Sequence, residues 1–165
     1  MWVVSRSAVL VSFFLAAVLP GMAMGEVPGE NLLEIQPGKT GTDIRLDRAA
    51  IETLPQIDFQ TTTIWTDGTN HFSGPPLLPV LRAAGIVDGV VSLRAANDYS
   101  VEIPVAELTE NAPIIASRID GKPFDLREKG PLWLVYPYDS SPAYQSETVY
   151  SRSLWQLVAI SRNGE

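Results

Sequence analysis

The chain of 165 residues offers catalysis one imidazole and no thiol: its single histidine is His71 and it has no cysteine. The missing cysteines exclude disulfides, cysteine nucleophiles, thiolate zinc sites, iron–sulfur clusters and every cysteine-ligated metal. With one histidine, a His-rich metal site within one chain is excluded, and any Ser-His-Asp device must be built on His71. Asp67 is the carboxylate close in sequence that could orient His71 as a general base, and Ser73 is a nearby serine. No nucleophile-elbow pattern surrounds that serine, so hydrolysis is the weakest reading. No catalytic residue and no metal ligand are assigned.

Other groups could bind rather than react. Arg118, Lys122, Arg127 and Lys129 lie close together, interspersed with Asp120, Asp125 and Glu128. They form either a solvated loop of weak ion pairs or an anion pocket with Arg118 pointing inward from its strand. Asn97, Asp98 and Tyr99 sit at a turn, as turn formers or as a polar rim facing a ligand. Trp65, Trp133 and Trp155 suit core or pocket walls, and Trp65 is the best placed of them to stack on a ligand. From Tyr136 to Arg152 the chain is polar and aromatic, and Tyr138, Tyr144, Tyr150 and Arg152 are the candidates there for a partner surface.

The elements that position these groups are short. Asp47 can cap a helix over Arg48–Leu54, which Pro55 ends. Residues 57–66 alternate β-branched and aromatic side chains as a strand does, and Asp67-Gly68 signals a turn continuing as a loop to Ser73. Leu77–Ala84 reads as a helix closed by Gly85. Val90–Ala96 and Tyr99–Ile103 form a hairpin candidate around Asn97-Asp98, and Pro104 opens a short helix to Leu108. Ile114–Ile119, Leu132–Tyr136 and Leu154–Ile160 are the remaining strands, with a turn at Asp120-Gly121. The expected class is α+β, strand-rich and with short helices.

Residues 1–25 read as an export signal: Arg6, an apolar run over Ala8–Leu19, a break at Pro20-Gly21, and small residues before Glu26. The run is short for a membrane span, so the chain is expected to be periplasmic or secreted by a Sec-type route, without a span once the signal is cleaved. Residues 26–41 read as an extended N-terminal arm that becomes ordered at Leu32–Ile35, and residues 42–165 as one domain. The net charge of −7 repels phosphate backbones and argues against nucleic acid as a partner.

An ordered set of segments resembles the oxidoreductase molybdopterin-binding domain, the catalytic fold of the sulfite oxidase family. The set runs through Phe72–Leu77, Leu81–Gly85, Ala95–Tyr99 and Val101–Pro104. It is densest from Ile115–Arg118 through Asp120–Pro123 to Gly130–Pro137, and closes with Tyr150–Ile160. The resemblance implies a compact sulfite-oxidase-type fold, a molybdopterin cofactor and oxidoreductase activity. It also implies a metal-ligating cysteine after an early threonine-rich strand, where this chain reads Thr61-Thr62-Thr63-Ile64-Trp65-Thr66. A threonine hydroxyl holds its proton too tightly to replace a thiolate on a high-valent metal. Family members also receive the cofactor before export and leave folded by the twin-Arg route, whereas this leader reads Ser5-Arg6-Ser7.

The resulting expectation is a non-redox binding module on this fold, for a small or anionic ligand or for a periplasmic or membrane-bound protein. Its ligand candidates are Thr63, Trp65, His71, Asn97, Asp98, Tyr99, Arg118 and Lys122. No cofactor is expected, molybdopterin following from the resemblance alone. The alternative is a molybdopterin-dependent oxidoreductase with a non-cysteine metal site.

Overall fold

The computed structural model describes residues 29–163, apart from 125, 126 and 128. The expected export signal at residues 1–25 lies outside the described residues. Among the described residues no helix is long and apolar enough to cross a membrane.

Two sheets and a two-stranded ribbon enclose the core. The larger sheet has the order β2-β1-β11-β5-β6, from β1 (Asn31–Gln36), β2 (Ile44–Asp47), β5 (Val90–Ala95), β6 (Ser100–Pro104) and β11 (Leu157–Asn163). β1 pairs parallel with β11, and the other neighbours are antiparallel. The segment expected as an arm thus supplies an interior strand, with Leu32, Leu33 and Ile35 buried. Val91, Leu93 and Ala95 of β5 turn inward, while Ser92 and Arg94 alternate outward.

The second sheet has the order β3-β4-β8-β9: β3 (Ile57–Thr63), β4 (Thr66–Gly74), β8 (Arg118–Ile119) and β9 (Lys122–Pro123). Here the sequence reading needs correction. The chain reverses at Ile64-Trp65, not at Asp67-Gly68, and residues expected as loop continue as β4. The turn signal survives only as a bulge: the β3–β4 ladder passes from Thr62↔Thr69 to Thr63↔Thr66 with a register shift that leaves Asp67 and Gly68 unpaired in it, Gly68 at φ +66°, while His71 lies opposite Gln60. β7 (Ile114–Ala116) pairs with β10 (Trp133–Val135) as the ribbon, and every residue of both is buried. The expected single strand Ile114–Ile119 is therefore split at Ser117, β8 joining the second sheet.

Three short helices complete the fold: α1 (Arg48–Thr53), α2 (Leu77–Ala83) and α3 (Glu147–Arg152). The Asp47 carboxylate caps α1 by accepting from the Ala50 N–H at 2.8 Å. α2 buries Leu77, Leu78, Val80 and Leu81, and Gly85 after it has φ +82°, the left-handed conformation that closes helices. Residues 138–152 are ordered as two 3₁₀ turns, Tyr138–Ser140 and Pro142–Tyr144, followed by α3. The Leu154 carbonyl accepts from Leu134 of β10 and Trp155 bridges to Trp133 before the chain enters the large sheet at Leu157, so β11 begins three residues later than expected.

Candidate functional site

The threonine run ends in a rigid turn. The Thr63 hydroxyl accepts from the Trp65 N–H at 3.0 Å and shares a 2.8 Å hydrogen bond with the Thr66 hydroxyl. This turn sets the Trp65 indole among four other rings: Trp133 at 5.8 Å, Tyr138 at 6.2 Å, Tyr150 at 5.9 Å and Trp155 at 5.8 Å. All four contacts are steep, edge-type arrangements between 63° and 85°, the geometry that the ring quadrupole favours. Trp133 is fully buried, and its indole N–H donates to the Ser153 carbonyl at 3.2 Å.

Two cavities have walls built from rings that touch Trp65. The first, of about 170 Å³, is lined by Ala95, Asn97, Tyr99, Ser151, Ser153, Leu154 and Trp155. The second, of about 250 Å³, is lined by Thr62, Thr63, Ile64, Tyr138, Asp139, Gln145 and Tyr150. α3 packs beside β6, and the Arg152–Glu107 ion pair at 2.5 Å holds it to the 3₁₀ turn that follows β6. That packing brings Ser151 to the Asn97–Tyr99 hairpin. Across the second cavity, Asp139 accepts from the Thr62 N–H at 2.6 Å and from the Thr62 hydroxyl at 2.7 Å. In return, the buried Thr61 hydroxyl accepts from the Asp139 N–H at 3.1 Å.

These contacts and the burial around them shift three nearby acids. The backbone N–H of Thr62, then its hydroxyl, hold the Asp139 carboxyl below its ordinary value. Burial pushes the Tyr138 phenol up to about 12, against the lowering effect of its hydrogen bond to the Ser153 hydroxyl at 2.6 Å. Burial likewise pushes the Tyr136 phenol well above its ordinary value, Arg152 opposing.

The structure divides the sequence-derived candidates. Asn97 and Tyr99 line the first cavity and Thr63 the second, while Trp65 touches Trp155 of the first and Tyr150 of the second. Asp98 stands at the same hairpin, with a positive φ of +65°, and accepts from Arg94 at 3.1 Å. His71, Arg118 and Lys122 lie on the second sheet. His71 is on a strand rather than in a loop, and its Nε2 meets the Asp58 carboxylate across the ladder at 2.9 Å, not Asp67. Arg118 does not stand free as an anion receptor: it donates to Glu52 at 2.6 Å and to the Gly121 carbonyl at 3.2 Å. Lys122 is exposed at the β8–β9 hairpin. Of the partner-surface set, Tyr138 is only 2% exposed and is core, a correction caused by its ring contacts and its bond to Ser153. Tyr144 and Tyr150 are half-buried, and Arg152 is turned to Glu107.

Ser151 was not among the sequence candidates, and Trp155 was offered only as a core or pocket wall. Trp155 is flanked by Leu154 and Leu157 and reads as core. Yet Gln156, at φ +53°, breaks the strand, and the Trp155 ring stays 38% exposed. Nothing in the sequence signals a left-handed glutamine.

The residues do not fit the metal centre that the family resemblance implies. The thiolate position falls in the threonine run, where the Thr61 and Thr63 hydroxyls are committed to internal hydrogen bonds and Trp65 fills the adjoining space. Among the described residues no group of three or more His, Asp or Glu side chains could hold a metal ion.

No protein-family model matches the chain, and no curated protein matches it. Among solved structures it is similar to the sulfane dehydrogenase SoxCD from Paracoccus pantotrophus, with a TM-score of 0.60 at 14% identity. The match covers 81% of this chain and 38% of that one, so this chain spans well under half of its length. Likeness at that identity is likeness of fold: this strand-rich α+β chain shares the fold of part of an oxidoreductase.

Proposed function

We propose that this chain is an exported binding module on the sulfite-oxidase-type fold, one that carries no redox centre and holds a small ligand at its aromatic end. The sequence resemblance and the likeness to a dehydrogenase support the fold's ancestry. The observation that carries the reading is Trp65: it occupies the turn where the resemblance places a metal-binding thiolate, and its ring is packed against four others. Beside it, Tyr99 and Trp155 stay 54% and 38% exposed on the wall of one cavity. Large aromatic rings left in solvent beside a preformed hollow favour ligand binding over packing.

The site does not favour an anion. Arg45, Arg82, Arg94, Arg118, Arg152 and Arg162 each face a carboxylate. The test is protein-observed NMR of the intact chain against fractions of periplasmic extract. Shifts concentrated at Trp155, Tyr99 and Asn97 are expected. Shifts confined to the His71–Lys122 region, or none with any fraction, overturn the reading.

A further inference from the structure

We propose that the Tyr99–Trp155 cavity is a subsite for one uncharged sugar ring; this rests on the binding-module reading and names its ligand class. A pyranose has a flat face of C–H bonds and an edge of hydroxyls. The C–H face suits the negative face of an aromatic ring, and the hydroxyls need paired donors and acceptors.

The cavity offers both. Trp155 and Tyr99 are two of its walls and the two most exposed aromatic rings among the described residues. The Trp155 ring and the Tyr99 backbone are fixed before any ligand arrives. Trp155 is braced against Trp65, and its backbone bridges to Trp133. Tyr99 closes the hairpin through its N–H to Asn97 Oδ1 at 3.2 Å and its carbonyl to the Ala95 N–H at 2.8 Å. Rings held in place in the free protein lose little freedom on binding.

The polar edge is equally defined. Because Asn97 Oδ1 is taken by Tyr99, the Asn97 amide presents its Nδ2 hydrogens as donors. The Ser151 hydroxyl spends its proton on the Thr148 carbonyl at 2.8 Å and presents its oxygen as an acceptor. Ser153 is saturated, accepting from Tyr138 and donating to Val149. One donor and one acceptor at the rim suit two neighbouring sugar hydroxyls.

Charge and size narrow the class. No charged side chain lines the cavity. The two arginines adjacent to lining residues are neutralised, Arg94 by Asp98 and Arg152 by Glu107. A volume of about 170 Å³ falls below the range of roughly 300–1,000 Å³ typical of drug-sized ligands, and suits a single ring.

The experiment titrates the intact labelled chain with methyl β-glucopyranoside, cellobiose, maltose and N,N′-diacetylchitobiose, following the backbone amide signals of Ala95, Asn97, Tyr99 and Ser151 in every variant and the Trp155 indole N–H wherever Trp155 is present. Glucose 6-phosphate is the charged comparison. At least one neutral sugar is expected to give saturable shifts, weakened about tenfold or more by Trp155→Ala and by Tyr99→Ala, the latter a largely exposed position. Asn97→Ala, which also removes the acceptor of the Tyr99 N–H, is expected to weaken binding while the chain still unfolds cooperatively above the temperature of the titration. Silence from every neutral sugar, shifts that survive Trp155→Ala, or much tighter binding of the phosphorylated sugar overturns the proposal. If the sugars are silent while extract fractions still shift Trp155, the sugar class fails and the binding-module reading stands. If both are silent, both fail.

Discussion

Thr61 shows how one side chain fixes the chemistry open to this region. It is fully buried, and its hydroxyl anchors the Asp139 N–H, whose carboxylate in turn binds Thr62. Thr61→Val keeps the shape and leaves that N–H without its acceptor. The expected loss is about 1–3 kcal/mol, read by urea denaturation. Tyr138 gives a pH prediction. Burial raises its pKa from 10.0 to about 12, so the folded state holds the phenolic proton more tightly than the unfolded state does. Its contribution is complete below about pH 10 and is lost as pH climbs through about 12, on the order of 3 kcal/mol. Tyr138→Phe should therefore flatten the alkaline fall in the melting temperature, though Tyr136, shifted the same way, preserves part of it. The local signals at this scale were legible: Asp47 as a cap, Gly85 as a helix end, Asp120-Gly121 as a turn. The pairing of Asp139 with Thr62 was not, because the partners stand 77 residues apart and meet only through the tertiary fold.

Elements were legible where periodicity and punctuation agreed, as in α2 and the β5–β6 hairpin. They were misread where long-range pairing outweighed a local turn signal. Asp67-Gly68 is a good turn sequence, yet the ladder from Ile57↔Gly74 to Thr62↔Thr69 resumes at Thr63↔Thr66 and leaves the pair as a bulge within the strand. That register moved His71 onto a strand facing Asp58. Gly74, at the end of β4, shows how closely this sheet approaches the ribbon. A Cβ there would lie 2.1 Å from the Ile115 carbonyl oxygen, so Gly74→Ala must separate β4 from β7. A loss of about 2 kcal/mol or more is expected in chemical denaturation. A neutral result would mean that the two strands can slide apart at little cost.

Across the whole molecule, most ion pairs lie away from the aromatic packing, with Asp139, Lys129 and the Arg152–Glu107 pair at its edge. Arginines are tied to carboxylates around the surface, while the rings collect between β10, the Ile64-Trp65 turn and α3. Exposed pairs of this kind contribute little. Arg118→Ala is therefore expected to change stability by less than about 1 kcal/mol and to leave ligand shifts at Trp155 intact, checked by denaturation and NMR on the same variant. The α+β class was legible from the strand-rich sequence. The aromatic end was only half legible: Trp65, Asn97, Tyr99 and Trp155 carried a signal, while Ser151 did not, and no residue type announces the left-handed Gln156 beside the exposed Trp155 ring.

The account rests on threonines and Trp65 standing where the sequence resemblance implies a metal-ligating thiolate, on a fold shared with part of a dehydrogenase. Elemental analysis for molybdenum, together with pterin fluorescence after oxidative extraction, addresses that claim directly on native full-length protein from its own host. Metal far below one atom per chain and no extractable pterin are predicted. One molybdenum with one pterin per chain would contradict the account.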